Sequence, residues 1–370
     1  MKKVDQKILA LIAEIKCVLE KTPNVLGKEI AKKLNLDKTT INRFLSDHSS
    51  YFLKNSDYTW RNRPSDDCVT VEFNNGWIDC DSFENSLRTV DFLSVKINSV
   101  VFIFCDNSKF LLEVTARFLS LCNQIIDLGK SVTIDFGENN NLRLYLNRAG
   151  FYDLLNKSAK VLPRKPVNSL AKIYKGNSSG LVEIGSIALN SVNTELAREL
   201  AKAFVSKSNQ EYQVPIFTIF GELIGNVVDH SSSTLGGFAA LQHYETIPAH
   251  IQTVVSDSGV GIVNTLTPAL SEHYPDLLEL SNIALVEAVM KKGLISKHGA
   301  KRGNGQGFRS SKESALRFSA KYSLRQKTFS LELHFKDGAL KDTIRRTDLV
   351  PIHGTHICFD FTVDSPSSPA

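Results

Sequence analysis

Residues 214–233, VPIFTIFGELIGNVVDHSSS, lay Ile216, Ile219, Phe220, Leu223, Ile224, Val227 and Val228 along one helical stripe. Glu222, Asn226 and Asp229 fall at i, i+4 and i+7, so they share a second face and project together. Such a row on a rigid helix can bind hydrated Mg2+ through the amide oxygen and place a base beside a γ-phosphate. It can equally be the wet side of an amphipathic helix. Downstream, LGGFAALQHYE and HIQTVVSDSGVGI carry alternating or apolar runs compatible with antiparallel strands. The second run ends in DSGVGI (257–262), with a carboxylate two positions ahead of the first of two glycines. Further on, KRGNGQGF (301–308) puts closely spaced glycines and the cations Lys301, Arg302 and Arg309 ahead of a helical stretch, an arrangement that lets backbone N–H groups approach an anion.

Taken in order, ELIGNVVDH, DSGVGI, GNGQGF and HGTHICFDF (353–361) resemble the motifs of the GHKL, or Bergerat-fold, ATP-binding domain shared by gyrase, heat-shock chaperones, mismatch-repair ATPases and histidine kinases. The resemblance implies an α/β sandwich over 181–370, a mixed sheet covered by helices, that binds ATP with Mg2+. On it, Asn226 offers its side-chain oxygen to Mg2+, Glu222 is the general base, and Asp229 shares their face. Asp257 accepts a hydrogen bond from the adenine amino group. Gly259 and Gly261 let the base approach, and Ile262 packs beside it. Thr355 helps to hold the adenine end. Gly303, Gly305, Gly307 and Phe308 belong to a phosphate-covering lid and its junction with the next helix. The stretch 263–302 falls in a variable lid region, with a helix-like run at Ile283–Met290.

At the other end of the chain, Ile8, Leu11, Ile12, Ile15, Val18 and Leu19 mark one amphipathic helix and GKEIAKKLNL a second. A third follows, with Asp37 as N-cap and Ile41, Phe44 and Leu45 on its apolar face, and YFLKNSDYTW then predicts a hairpin. Residues 1–64 thus resemble a winged helix-turn-helix domain. Lys38, Thr39, Thr40, Asn42 and Arg43 supply the small polar and basic side chains that a recognition helix needs near its N-terminus. This segment holds thirteen Lys and Arg against seven Asp and Glu, a net +6, while the whole chain carries +5. The positive excess therefore lies in 1–64, which points to nucleic acid, the alternative being a solvated lysine face used for protein contacts.

Between them, SVVFIFC (99–105) and SVTIDFG (131–137) read as strands and 109–129 as a long helix, followed by a second helix in NNLRLYLNRAGFYDLL. A β-α-β-α order implies parallel pairing with a right-handed crossover. Residues 65–165 are weakly similar to STAS-type regulatory domains, which bind partner proteins, and the Pro-, Ser-, Lys- and Gly-rich 166–180 reads as a linker. Six scattered cysteines without a CxxC pair predict reduced thiols in a cytoplasmic protein, and the charge-interrupted N-terminus excludes a signal peptide. The fold class expected is α/β multidomain: winged helix, small α/β domain, Bergerat sandwich. The expected function is an ATP-driven switch with slow ATPase activity, coupled to DNA through 1–64 or to a protein partner through the middle segment, with a homodimer as its assembly and no membrane. A protein kinase of the anti-sigma or histidine-kinase type and a non-catalytic DNA-binding regulator are the alternatives, all in keeping with a bacterial regulator of transcription or phage defence.

Overall fold

The computed structural model describes residues 6–49, 51–55, 57–62, 67–88, 90–178, 180–188, 194–230, 235–292 and 319–363, and the chain divides into two compact units, 1–70 and 71–370. The expected lid residues Gly303, Gly305, Gly307 and Phe308, with Lys301 and Arg302, lie outside the described residues. No helix among the described residues is long and apolar enough to cross a membrane.

The first unit runs α1 (Gln6–Lys21), β1 (Val25–Leu26), α2 (Gly27–Leu34), α3 (Lys38–Asp47), β2 (Phe52–Lys54) and β3 (Thr59–Asn62). Its apolar stripes meet in one core of Ile12, Ile15, Leu19, Ile30, Ile41, Leu45, Phe52 and Trp60. Asn35 ends α2 in the left-handed region at φ 53°. Asp37 then starts α3, its carboxylate accepting from the Thr40 N–H at 2.8 Å. The hairpin β2–β3 is antiparallel, and β1 adds a third strand against β3. Two residues of strand are too few to leave a periodic signal, so β1 is invisible in the sequence.

The second unit opens with β4 (Cys68–Phe73), β5 (Gly76–Ile78), α4 (Cys80–Leu87), β6 (Ser99–Phe104), β7 (Ser108–Phe110), α5 (Leu112–Asp127), β8 (Ser131–Asp135), α6 (Asn140–Ala149), α7 (Phe151–Leu154) and β9 (Lys160–Leu162). One sheet has the order β4-β6-β8-β9, with the expected parallel pairing of β6 with β8; β9, not expected from the sequence, adds a further parallel strand against β8. The helix expected from residue 109 starts three residues later, because Ser108–Phe110 is a strand paired in parallel with Gly76–Ile78. Within the Pro/Ser-rich stretch 166–180 lies α8 (Leu170–Ile173), whose first N–H is accepted by the Asn147 side chain at 3.2 Å.

There follow β10 (Leu181–Ile187), α9 (Thr194–Lys207), α10 (Gln213–His230), β11 (Gly237–Tyr244), β12 (Ala249–Asp257), α11 (Ile262–His273), α12 (Asn282–Lys292), β13 (Ala320–Gln326), β14 (Phe329–Lys336), β15 (Ala339–Arg346) and β16 (His356–Val363). These strands form a seven-stranded sheet in the order β10-β11-β12-β16-β13-β14-β15. Parallel and antiparallel pairing both occur in this unit, but in different sheets: the expected mixed sheet is instead antiparallel at every pairing of its seven strands. Strand alternation gives this sheet two faces. On β16, Ile357, Phe359 and Phe361 join Ile251, Val255, Leu324 and Leu331 in a core shared with Phe204 of α9 and Ile216, Phe220 and Ile224 of α10. His356, Cys358 and Asp360 point the other way.

That second face is polar, yet it is covered by α5. Residues Leu112–Ile125 of α5 are buried without a break, including Glu113, Thr115, Arg117, Ser120, Asn123 and Gln124. Buried polar groups need partners. Glu113 accepts from the Ser323 hydroxyl and from Arg117, each at 2.5 Å, and the Leu112 N–H donates to the Tyr244 hydroxyl at 2.9 Å. Burial pushes the Glu113 carboxyl up, but Arg117, Lys321 and the Ser323 hydroxyl outweigh it and hold the group below its ordinary value. Arg325, fully buried on β13, grips Glu84 of α4 through two hydrogen bonds of 3.1 Å. Its remaining N–H groups donate to the carbonyls of Gln326, Lys327, Val350 and Ile352. Arg325→Ala takes the two 3.1 Å bonds from buried Glu84 and leaves it only Arg117 at 3.4 Å, so urea denaturation should show a loss of about 3 kcal/mol, whereas the double change Arg325→Met with Glu84→Leu should recover most of it.

Candidate functional site

The carboxylate of DSGVGI sits at the end of β12, where Asp257 pairs with Gly237 of β11. Its side chain is 7% exposed. Oδ1 accepts from the Gly259 N–H at 2.6 Å, and the backbone and hydroxyl of Thr355 lie so as to favour the charged carboxylate. In return the Asp257 N–H donates to the Thr355 carbonyl at 2.9 Å. Burial raises the Asp257 pKa to about 6, with the Gly259 and Thr355 bonds opposing the rise. The result is an acceptor group that is desolvated and already oriented.

Two glycines make this approach of loops feasible. Gly354 has φ +93°, and a Cβ there would lie 2.0 Å from the Asp257 carbonyl oxygen. Gly261 has φ +83°, and a Cβ there would lie 2.6 Å from Gln326 Oε1. Any larger residue at either place strains the backbone and collides with its neighbour. Immediately after Gly261, α11 begins, and its first N–H, of Ile262, donates to Gln326 Oε1 at 3.0 Å. The Gln326 amide nitrogen donates to the Thr355 hydroxyl at 2.9 Å. A single glutamine at the end of β13 therefore ties the helix start to the carboxylate-binding threonine.

The structure thus brings Asp257, Gly259, Gly261, Ile262 and Thr355 together. Helix α10 reaches the same region: a Cβ on Gly237 would meet Val227 Cγ1 at 2.6 Å and Asp257 Cβ at 3.6 Å. Asn226, half-buried, is the residue before Val227, and half-buried Glu222 lies one turn earlier on the same helix. Asp229 is within the same helix, and its side chain lies outside the described residues. Gln326 is a site residue that sequence reasoning missed, because nothing in SLRQKT marks it and its partners stand 64 and 29 positions away. A separate small crevice lined by Cys80, Asp81, Glu84, Arg117, Glu332 and Arg346 belongs to the buried ion cluster rather than to this site.

In the first unit, Lys38, Thr39, Thr40 and Arg43 are exposed on α3. Asn42 is not presented with them. A Cβ on Gly27 would lie 2.0 Å from Asn42 Oδ1, so the Asn42 amide is packed against the first residue of α2. Thr40 is occupied by its cap, its hydroxyl donating to Asp37 at 3.1 Å. Arg43 approaches Asp47 at 3.6 Å, but both are open to solvent and the pair holds little energy.

The sign of the Asp257 shift yields a stability test. A carboxyl whose folded pKa exceeds its unfolded value binds protons more tightly when folded, so the fold loses stability as pH rises between about 4 and about 6. Asp257→Asn keeps an acceptor oxygen without the charge. Thermal or urea unfolding should find it more stable than the parent at pH 8, by on the order of 2 kcal/mol, and level with it near pH 4. Set against known proteins, the chain matches no family model and no curated protein.

Proposed function

We propose that the chain is a Mg-ATP-binding regulator of the GHKL type, a slow ATPase switch whose first unit, a winged helix-turn-helix, binds nucleic acid. The observation that carries this reading is the buried, oriented Asp257 carboxylate between two glycine-limited loops. Such a group selects a ligand with an N–H donor, as the adenine amino group is, and rejects guanine, whose O6 is an acceptor. The order of the motifs along the chain and the closeness of α10 to the end of β12 support the same reading. Among the described residues no group of three or more His, Cys, Asp or Glu is placed to hold a metal. Mg2+ would therefore arrive with the triphosphate and take a protein ligand from the Asn226 oxygen. Glu222, one turn before Asn226, would accept the proton of the attacking water.

Binding and turnover separate the roles. Asp257→Ala should weaken binding of radiolabelled ATP at least a hundredfold, because a desolvated acceptor is lost. Glu222→Ala should bind ATP as the parent does and lose 10²- to 10⁴-fold in phosphate release. Parent affinity for ATP should fall as pH drops below about 6, where Asp257 takes up a proton. Equal ATP affinity in Asp257→Ala and parent would remove the basis of the proposal, and label transferred to a partner protein would point to a kinase.

For the first unit, the double change Lys38→Ala with Arg43→Ala should weaken binding to duplex DNA and reduce the slope of log K against log salt by about 2, with ATP affinity unaltered. Asn42→Ala, whose amide faces Gly27, should leave that slope as it is. Equal slopes for parent and the double variant would exclude α3 as the phosphate-contacting element.

A further inference from the structure

We infer that Gln124 of α5 is a positioning residue for the adenine end of the site, and that the middle segment sets ATP preference through it; this rests on the nucleotide reading above. Gln124 lies in the last turns of α5 and is 7% exposed. Its amide nitrogen donates to the Ser258 hydroxyl and to the His353 carbonyl, each at 3.0 Å. Its amide oxygen accepts from the His353 N–H at 2.8 Å. Ser258 stands between Asp257 and Gly259, and His353 precedes Gly354 and Thr355. One side chain thus bridges both loops that hold the Asp257 carboxylate.

The helix that carries Gln124 is fixed at its other end to the same sheet, by the Leu112 N–H on the Tyr244 hydroxyl and by Glu113 on Ser323. Its far side packs on β8 and α7 of the middle segment. Whatever shifts α5 along its axis must therefore pull on both loops together. The neighbouring Asn123 is a natural control. It is buried to the same 7%, but it donates to the Leu154 carbonyl at 3.0 Å and accepts from the Asn156 N–H at 2.8 Å, all within the middle segment.

The test compares Gln124→Ala and Asn123→Ala in the full chain. Hydrogen–deuterium exchange without nucleotide should speed up in peptides covering 257–262 and 351–356 for Gln124→Ala only, and in those covering 154–156 for Asn123→Ala. Equilibrium binding then uses ATP and purine riboside triphosphate, which lacks the amino group. Gln124→Ala should weaken ATP about tenfold and the analogue no more than twofold to threefold, while Asn123→Ala should change neither by more than about twofold at a similar loss of melting temperature. Should Gln124→Ala not fold, Ser258→Ala removes one partner and leaves the helix intact, with the same discrimination expected at about threefold. Indistinguishable exchange in the two loops, or an unchanged ATP-to-analogue ratio, overturns the inference. A parent chain that binds no ATP overturns the nucleotide reading instead, and the exchange measurement then decides the loop clamp by itself.

Discussion

Arg325 and Glu84 meet through two charge-assisted hydrogen bonds with almost no water around either, and the second unit is organised around that meeting. An antiparallel sheet with one apolar and one polar face ordinarily turns the polar face to solvent. Here His356, Cys358 and Asp360 share theirs with Ser323 and Arg325, and α4 and α5 lie over it. Covering a polar face is tolerable only where its groups are paired, so the burial specifies which residues of the helices must stand where. A slip of α5 by one turn would part Glu113 from Ser323, Arg117 from Glu84 and Gln124 from Ser258 and His353 at once. The middle segment and the seven-stranded sheet are consequently one packed body, although their sequences look like separate modules.

The same guanidinium organises the approach to the candidate site. Its donors to the carbonyls of Lys327, Val350 and Ile352 hold the turn after β13 and the segment leading to His353. Gln326, the next residue, reaches Thr355 and Ile262, and Thr355 reaches Asp257. Burial works against the Asp257 carboxylate, and these bonds offset only part of it, since the group stays raised to about 6. A dry carboxylate at the mouth of a helix start is a destabilised element that an N–H donor ligand would relieve. Stability withheld at such a position is the usual companion of binding.

Much of this was legible and some was not, for identifiable reasons. The 3.6-residue stripe of Ile216 to Val228 sufficed for α10, and the cap at Asp37 located α3 to the residue. HGTHICFDF stood out only as a motif, and nothing in it shows that His356 and Cys358 lie buried on the polar face of the sheet. Helix α11 was hidden inside a stretch taken for a variable lid, with Pro268 in its middle and Gly261 before it. Gln124 and Gln326 could not be found by pattern at all. Each is a single amide whose meaning comes from partners tens to hundreds of positions distant, up to 229 for Gln124. Asn42 shows the converse, since residue type and place on α3 suit a base contact, while the side chain is spent on Gly27.

Charge separates the two proposed ligands without any need for contact between their sites. The segment 1–64 carries a net +6 and the rest of the chain a net −1, so the field that would draw the proposed nucleic acid arises from the many lysines of that segment. Fields of this kind are screened over roughly 8 Å at physiological ionic strength, so attraction of this sort weakens as salt rises. Binding at Asp257 has to come from short-range geometry: a desolvated acceptor, two glycines and the amides that hold them. Salt should then act strongly on one interaction and weakly on the other.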